Sequence, residues 1–114
     1  MNKNEQNEWV YISGKITDSN KQKQRDNLEL FNKKEVELLN LWPNVFNPAS
    51  METKEETPWE VYLARDLAWI AEHKPDLFMM KGWEHSKGAK LERQFAKVLG
   101  LNIFYEVLPD GLDR

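Results

Sequence analysis

The sequence predicts an α/β fold in three layers, with a parallel β-sheet covered by helices on both faces. Four short apolar runs, WVYISG at 9–14, VFNPA at 45–49, LFMM at 77–80 and NIFYEV at 102–107, have the length and residue content of strands. The segments between them carry apolar residues near the helical period and end at proline or glycine. Strand and helix alternate throughout, which is the order of a parallel sheet whose crossovers pack on its faces.

The first strand ends in Gly14 and runs into a tight loop. A first helix is expected from about Gln24 to Trp42, with Leu28, Phe31, Leu38, Leu39 and Trp42 at helical spacing and Pro43 stopping it. VFNPA then forms a short strand, and the polar run METKEET at 51–57 reads as an exposed, mobile loop. Thr57 and Pro58 form a helix start signal, an N-cap followed by proline, with Glu60 completing a capping box. That second helix should reach about Glu72. Pro75 precedes LFMM, a strand fit for burial on both faces, and Gly82 closes it. The third helix spans Lys87 to Leu99 with Gly100 as its terminating residue, and NIFYEV is the last strand. The expected architecture is a Rossmann- or flavodoxin-like sheet of four to five strands in a single domain over residues 1–114, with flexible tails at 1–8 and 109–114.

With 114 residues, 40% hydrophobic and 31% charged, the chain has the composition of a globular protein with one core. Its 16 basic and 19 acidic residues give a net charge of -3, which does not favour a nucleic acid polymer or an anionic membrane as partner. There is no cysteine, which excludes disulfides and thiol chemistry, and His73 and His85 form a poor metal signature, so no metal site is expected. No signal peptide core or membrane-length apolar run occurs, and a cytoplasmic location is expected.

Two carboxylates fall where helical geometry expects apolar residues. At about 100° per residue, Trp59, Tyr62, Leu63 and Ile70 share one arc of the second helix, and Asp66 lies inside it. In the third helix Leu91, Phe95, Val98 and Leu99 define the expected buried arc, with Lys90, Arg93, Gln94 and Lys97 opposite, and Glu92 falls on the apolar side. A carboxylate on a buried face must be paired, neutralised or used. Glu35 also falls inside the apolar arc of the first helix without an evident role, so position alone leaves function and simple pairing both open. Tyr11 reads first as a core tyrosine with a satisfied hydroxyl, and Ser86 as a helix N-cap. In parallel sheets ligands bind beyond the carboxyl ends of the strands. Those ends carry GKITD, NPAS and GWEHSKG, which makes Gly14, Lys15, Asn47, Trp83, Ser86 and Gly88 candidate substrate-binding positions. Backbone N–H groups at Ser86 and in GKITD suit a phosphate or sugar hydroxyl, although neither GxxxxGK[ST] nor GxGxxG is present.

The ordered set VYISGKITD, VFNPA, RDLAWI, GWEHSKGAKLE and LGLNIFYE resembles the nucleoside 2-deoxyribosyltransferase-like superfamily, and most closely its small, often phage-associated branch designated a domain of unknown function. The resemblance covers nearly the whole chain. It implies Glu92 as nucleophile, Asp66 as the acid toward the leaving base, Tyr11 as the group that orients Glu92, and Ser86 as a contact to the sugar 5′ end or its phosphate. The nucleotide glycosidases among these relatives carry serine and arginine where this chain has Lys15 and Thr17, so that phosphate contact does not transfer directly. The chain also lacks much of the carboxyl-terminal part through which a neighbouring subunit completes the pocket in the transferases.

The activity implied is cleavage or transfer at the N-glycosidic bond of a 2′-deoxynucleoside or its 5′-monophosphate, by a hydrolase or transferase that needs no cofactor. Its partner would be a nucleoside or nucleotide, and self-association is expected from the resemblance. The alternative is a non-catalytic module that binds or sequesters a nucleotide or a nucleotide-derived signal.

Overall fold

A computed structural model describes residues 6–50 and 57–108. The elements, in order, are β1 (Trp9–Ser13), α1 (Lys21–Leu38), β2 (Asn44–Phe46), a 3₁₀ turn at Pro48–Ser50, α2 (Trp59–His73), β3 (Asp76–Met79), a second 3₁₀ turn at Trp83–His85, α3 (Lys87–Leu99) and β4 (Ile103–Tyr105). The sheet has four parallel strands in the order β2-β1-β3-β4. Tyr11 lies in register with Phe46 on one side and Leu77 on the other.

Alternation along β1 divides the core between two faces. Val10 and Ile12 pack with Phe31, Leu38, Trp42 and Met80 beneath α1. Tyr11 points the other way and packs with Ile70, Leu77, Met79, Ala89 and Ala96 beneath α2 and α3. The three-layer, Rossmann-like arrangement follows, with four strands among the described residues.

The helix ends show which local signals operate. Asn20 caps α1 by accepting hydrogen bonds from the Gln22 and Lys23 N–H groups at 2.9 and 3.1 Å, so α1 begins at Lys21, ahead of the expected Gln24. It also ends at Leu38, short of Trp42, which stays buried through the turn that follows. The capping box expected at Thr57 does not form. Pro58 itself is the N-cap of α2, and with no side-chain oxygen it makes no cap hydrogen bond. At α3 the Ser86 hydroxyl accepts from the Ala89 N–H at 3.1 Å, and Gly100 closes the helix at φ 73°.

The tails expected at 1–8 and 109–114 lie outside the described residues except for 6–8, and there the chain is tied down. Asn7 donates its backbone N–H to Asp76 and its side-chain amide to the Lys74 carbonyl, at 2.7 and 2.6 Å. The loop expected at 51–57 lies outside the described residues apart from Thr57.

Asp76 organises the amino-terminal edge of the sheet. Its Oδ2 accepts from the Asn7 N–H and from Trp42 Nε1 at 2.9 Å, and its Oδ1 accepts from Asn102 Nδ2 at 3.2 Å. Asn7 precedes β1, Trp42 precedes β2, Asp76 opens β3 and Asn102 precedes β4. One buried carboxylate therefore joins the amino ends of all four strands. Removing it strands the buried Trp42 N–H and two partly buried donors, so Asp76→Ala should lower the unfolding free energy by about 3 kcal/mol in a urea titration, and Trp42→Phe by about 1 kcal/mol.

Candidate active site

At the opposite edge, β1 presents Tyr11 and Ser13 on the same face, two residues apart. The α3 helix crosses that face and buries Ala89, Glu92 and Ala96. This corrects the arc expected from sequence: Leu91 and Val98 are 43% and 74% exposed, and small residues meet the sheet in their place. Alanine carries little apolar weight in a periodicity argument, yet it lets helix and strand approach closely. Glu92 sits between the two alanines and extends directly onto β1.

Glu92 is only 7% exposed, and both its carboxylate oxygens are engaged. Tyr11 donates its hydroxyl to Oε2 at 2.6 Å and Ser13 donates its hydroxyl to Oε1 at 2.7 Å. Burial pushes the Glu92 pKa up to about 7; the two hydroxyl donors oppose that shift and the nearby Asp66 charge adds to it. Asp66, buried on α2, is also raised by burial, with Arg65 at 3.3 Å working in the other direction. The Tyr11 hydroxyl interacts with Asp66 as well as with Glu92. Burial and these two acids hold Tyr11 well above its ordinary pKa, so it remains a protonated donor. The result is a pair of carboxyl groups that disfavour double ionisation, bridged by one phenol.

Ser13 is absent from the sequence-based candidates. Its signal was period two: if Tyr11 faces a site, the hydroxyl two residues later faces it too.

The remaining candidates divide. Ser86 and Gly88 lie at the start of α3, upstream of Glu92; a Cβ at Gly88 would make only ordinary contacts, with Leu63 at 3.9 Å and Ser86 Oγ at 4.0 Å. Gly14 is closely packed, since a Cβ there would lie 3.1 Å from Met80 and 3.2 Å from Phe31. Asn47 is committed to the scaffold: its amide donates to Asn32 and to Glu35, both at 3.0 Å, and its oxygen accepts from the Ala49 N–H. That bond also gives Glu35 its role, as a tether between α1 and the end of β2. Trp83 packs with Tyr105, and the Arg93 guanidinium lies 5.0 Å from its ring centre. Lys15 pairs with Asp18 at 3.5 Å and lines a cavity on the α1 side, away from Glu92. Among the described residues no group of three or more histidine, aspartate or glutamate side chains is placed to hold a metal ion. No described helix is long and apolar enough to cross a membrane.

Because the folded-state pKa of Glu92 lies above its ordinary value of 4.5, the native state binds the extra proton between the two. Its contribution to stability is complete below about pH 4.5 and is lost as pH rises through about 7. Wild type should therefore lose up to about 3 kcal/mol between pH 5 and 8 relative to Glu92→Gln, as read from paired urea titrations across that range. A constant difference between the two proteins would show that Glu92 keeps an ordinary pKa.

No match to a curated protein or to a solved structure was found. The family described as Domain of unknown function (DUF4406) matches residues 8–105, a span that includes every strand and helix described above. The chain is a member of the DUF4406 family.

Proposed function

We propose that the protein cleaves or transfers at the N-glycosidic bond of a 2′-deoxynucleoside or its 5′-monophosphate, with Glu92 as nucleophile, as the resemblance to the nucleoside 2-deoxyribosyltransferase-like superfamily implies. The observation that carries this reading is the buried Glu92 carboxylate, held by the Tyr11 and Ser13 hydroxyls and facing a second acid at Asp66.

An oxygen of Glu92 attacks the anomeric carbon, the carbon–nitrogen bond breaks, and its electron pair leaves with the base. Asp66 supplies the proton that the leaving base nitrogen takes up. A glycosyl ester remains on Glu92. Water then attacks the anomeric carbon, the bond from that carbon to the Glu92 oxygen breaks with its electron pair returning to the carboxylate, and the water gives its proton to Asp66, which restores both carboxyl groups; a second base in place of water gives transfer. The coupled pair suits this cycle, because mutual repulsion favours one proton between them, and the reactive arrangement is the one with the proton on Asp66. Tyr11 and Ser13 act as positioning residues that fix the attacking oxygen. Ser86 and the N–H groups at the start of α3 would meet the sugar 5′ end or its phosphate. Self-association is part of the same reading.

Chromatography of a panel of 2′-deoxynucleosides and their 5′-monophosphates is expected to detect base release by wild type and none by Glu92→Ala. Asp66→Asn should lower kcat by at least about 100-fold and Tyr11→Phe by about 10-fold. If no substrate releases base while one of them still raises the melting temperature, the site binds a nucleotide without turnover.

A further inference from the structure

The β4 strand is an open edge of the sheet. Toward β3, the Asn102 carbonyl accepts from the Leu77 N–H and the Glu106 N–H donates to the Met79 carbonyl, both at 2.9 Å. Alternate residues of a strand direct their backbone groups to opposite sides, so Ile103 and Tyr105 turn theirs away from β3, where no further strand lies among the described residues. The strand reads Ile-Phe-Tyr, with neither a charge nor a proline to blunt that edge.

Cations line the same edge. Arg93 leans from α3 onto β4: its Nε donates to the Tyr105 hydroxyl at 2.8 Å, and its guanidinium lies 5.0 Å from the ring centre of Trp83 and 5.8 Å from that of Tyr105. Two aromatic rings thus hold the guanidinium in place, while its terminal amino groups have no partner among the described residues. At about 100° per residue, Lys97 and Lys90 follow Arg93 on the same flank of α3. Both are exposed, and among the described residues none of the three pairs with a carboxylate. Glu92, the one acid of this helix, is turned the other way, toward β1. A chain of net charge -3 therefore sets three unpaired cations beside its open strand edge.

An extended segment laid along β4 would take up the free backbone groups of Ile103 and Tyr105 and bring every second side chain to the α3 face, where these cations stand. Its intervening side chains would fall on the α1 face beside Phe104, which packs against the Val10 and Phe31 core. Charge complementarity then calls for acids at alternate positions with apolar residues between them. We propose that the β4 edge docks an extended segment of a partner protein in which acidic residues alternate with apolar ones, Arg93 taking one carboxylate through both terminal amino groups and Lys90 and Lys97 meeting the others. A fixed, planar guanidinium suits that role, since little side-chain freedom is lost on binding.

The test is NMR titration and amide hydrogen exchange on the full chain, with the peptide TEVEVET as probe and TKVKVKT as its charge-reversed control. The Ile103 and Tyr105 N–H groups are expected to exchange freely in the protein alone and to be protected at saturating TEVEVET, with saturable shifts at Arg93. Arg93→Gln should weaken that binding by at least about 10-fold. Because Arg93 also packs Trp83 against Tyr105, a second variant, Lys90→Gln/Lys97→Gln, changes exposed side chains only and should weaken binding by about 3-fold on its own. No saturable shift at millimolar TEVEVET, equal affinity for TKVKVKT, shifts confined to the other edge at Asn44–Phe46, or an affinity unaltered in both variants would each overturn the proposal. Protection already present without peptide would overturn it as well: independent of protein concentration, it would assign the edge to this chain's own residues, and rising with concentration, to a second copy. Neither measurement depends on the reaction assigned to Glu92.

Discussion

A carboxylate withdrawn from water must receive hydrogen bonds or give up its charge, and the site edge of this fold is built around how Glu92 meets that requirement. Tyr11 and Ser13 supply one hydroxyl to each of its oxygens. Neither donor is charged, and the nearest charged neighbour with a resolved influence is the acid Asp66. The group is therefore held in place without being fully stabilised as an anion. A nearby arginine would have fixed the charge and removed the ambivalence; Arg65 instead serves Asp66.

Asp76 meets the same requirement in another way, at the other edge of the sheet. Its carboxylate takes three N–H donors, from Asn7, Trp42 and Asn102, each drawn from the entrance to a different strand. The sheet is thereby locked at its amino edge, and its carboxyl edge is left to loops, 3₁₀ turns and the start of α3. Strain or polarity introduced at the site end need not loosen the strand pairing, because another carboxylate secures it.

Much of this was legible in the sequence, for identifiable reasons. The third helix could be bounded because Ser86 and Gly100 are strong local signals and both operate. The first helix starts ahead of the expected Gln24, since its cap, Asn20, is hidden in a polar run. The second helix start differs from the expected one because Thr57-Pro58 permits a capping box in sequence, while in the fold Pro58 occupies the cap and no side chain caps the helix. Asp66 and Glu92 stood out as acids among apolar positions, but Ser13 did not, since a small hydroxyl in a strand breaks no pattern. The convergence of Asp66, Tyr11 and Glu92 depends on how two helices lie over one strand, which no periodicity encodes. The commitment of Asn47 to α1 was invisible for the same reason.

The bond between Tyr11 and Glu92 joins residues 81 positions apart, and the β1–β3 pairing beneath it brings Val10 to Asp76. Long-range pairings of this kind close slowly, because the chain entropy they remove must be met before their contacts reward it. Tyr11 and Ser13 lie on β1 and Glu92 on α3, so the constellation comes into being only when the span from Tyr11 to Glu92 has been synthesised and folded. A nascent chain that stops short of Glu92, or one cut off between β1 and α3, holds one half of it and never both, so such a fragment has no form in which the buried acid is assembled.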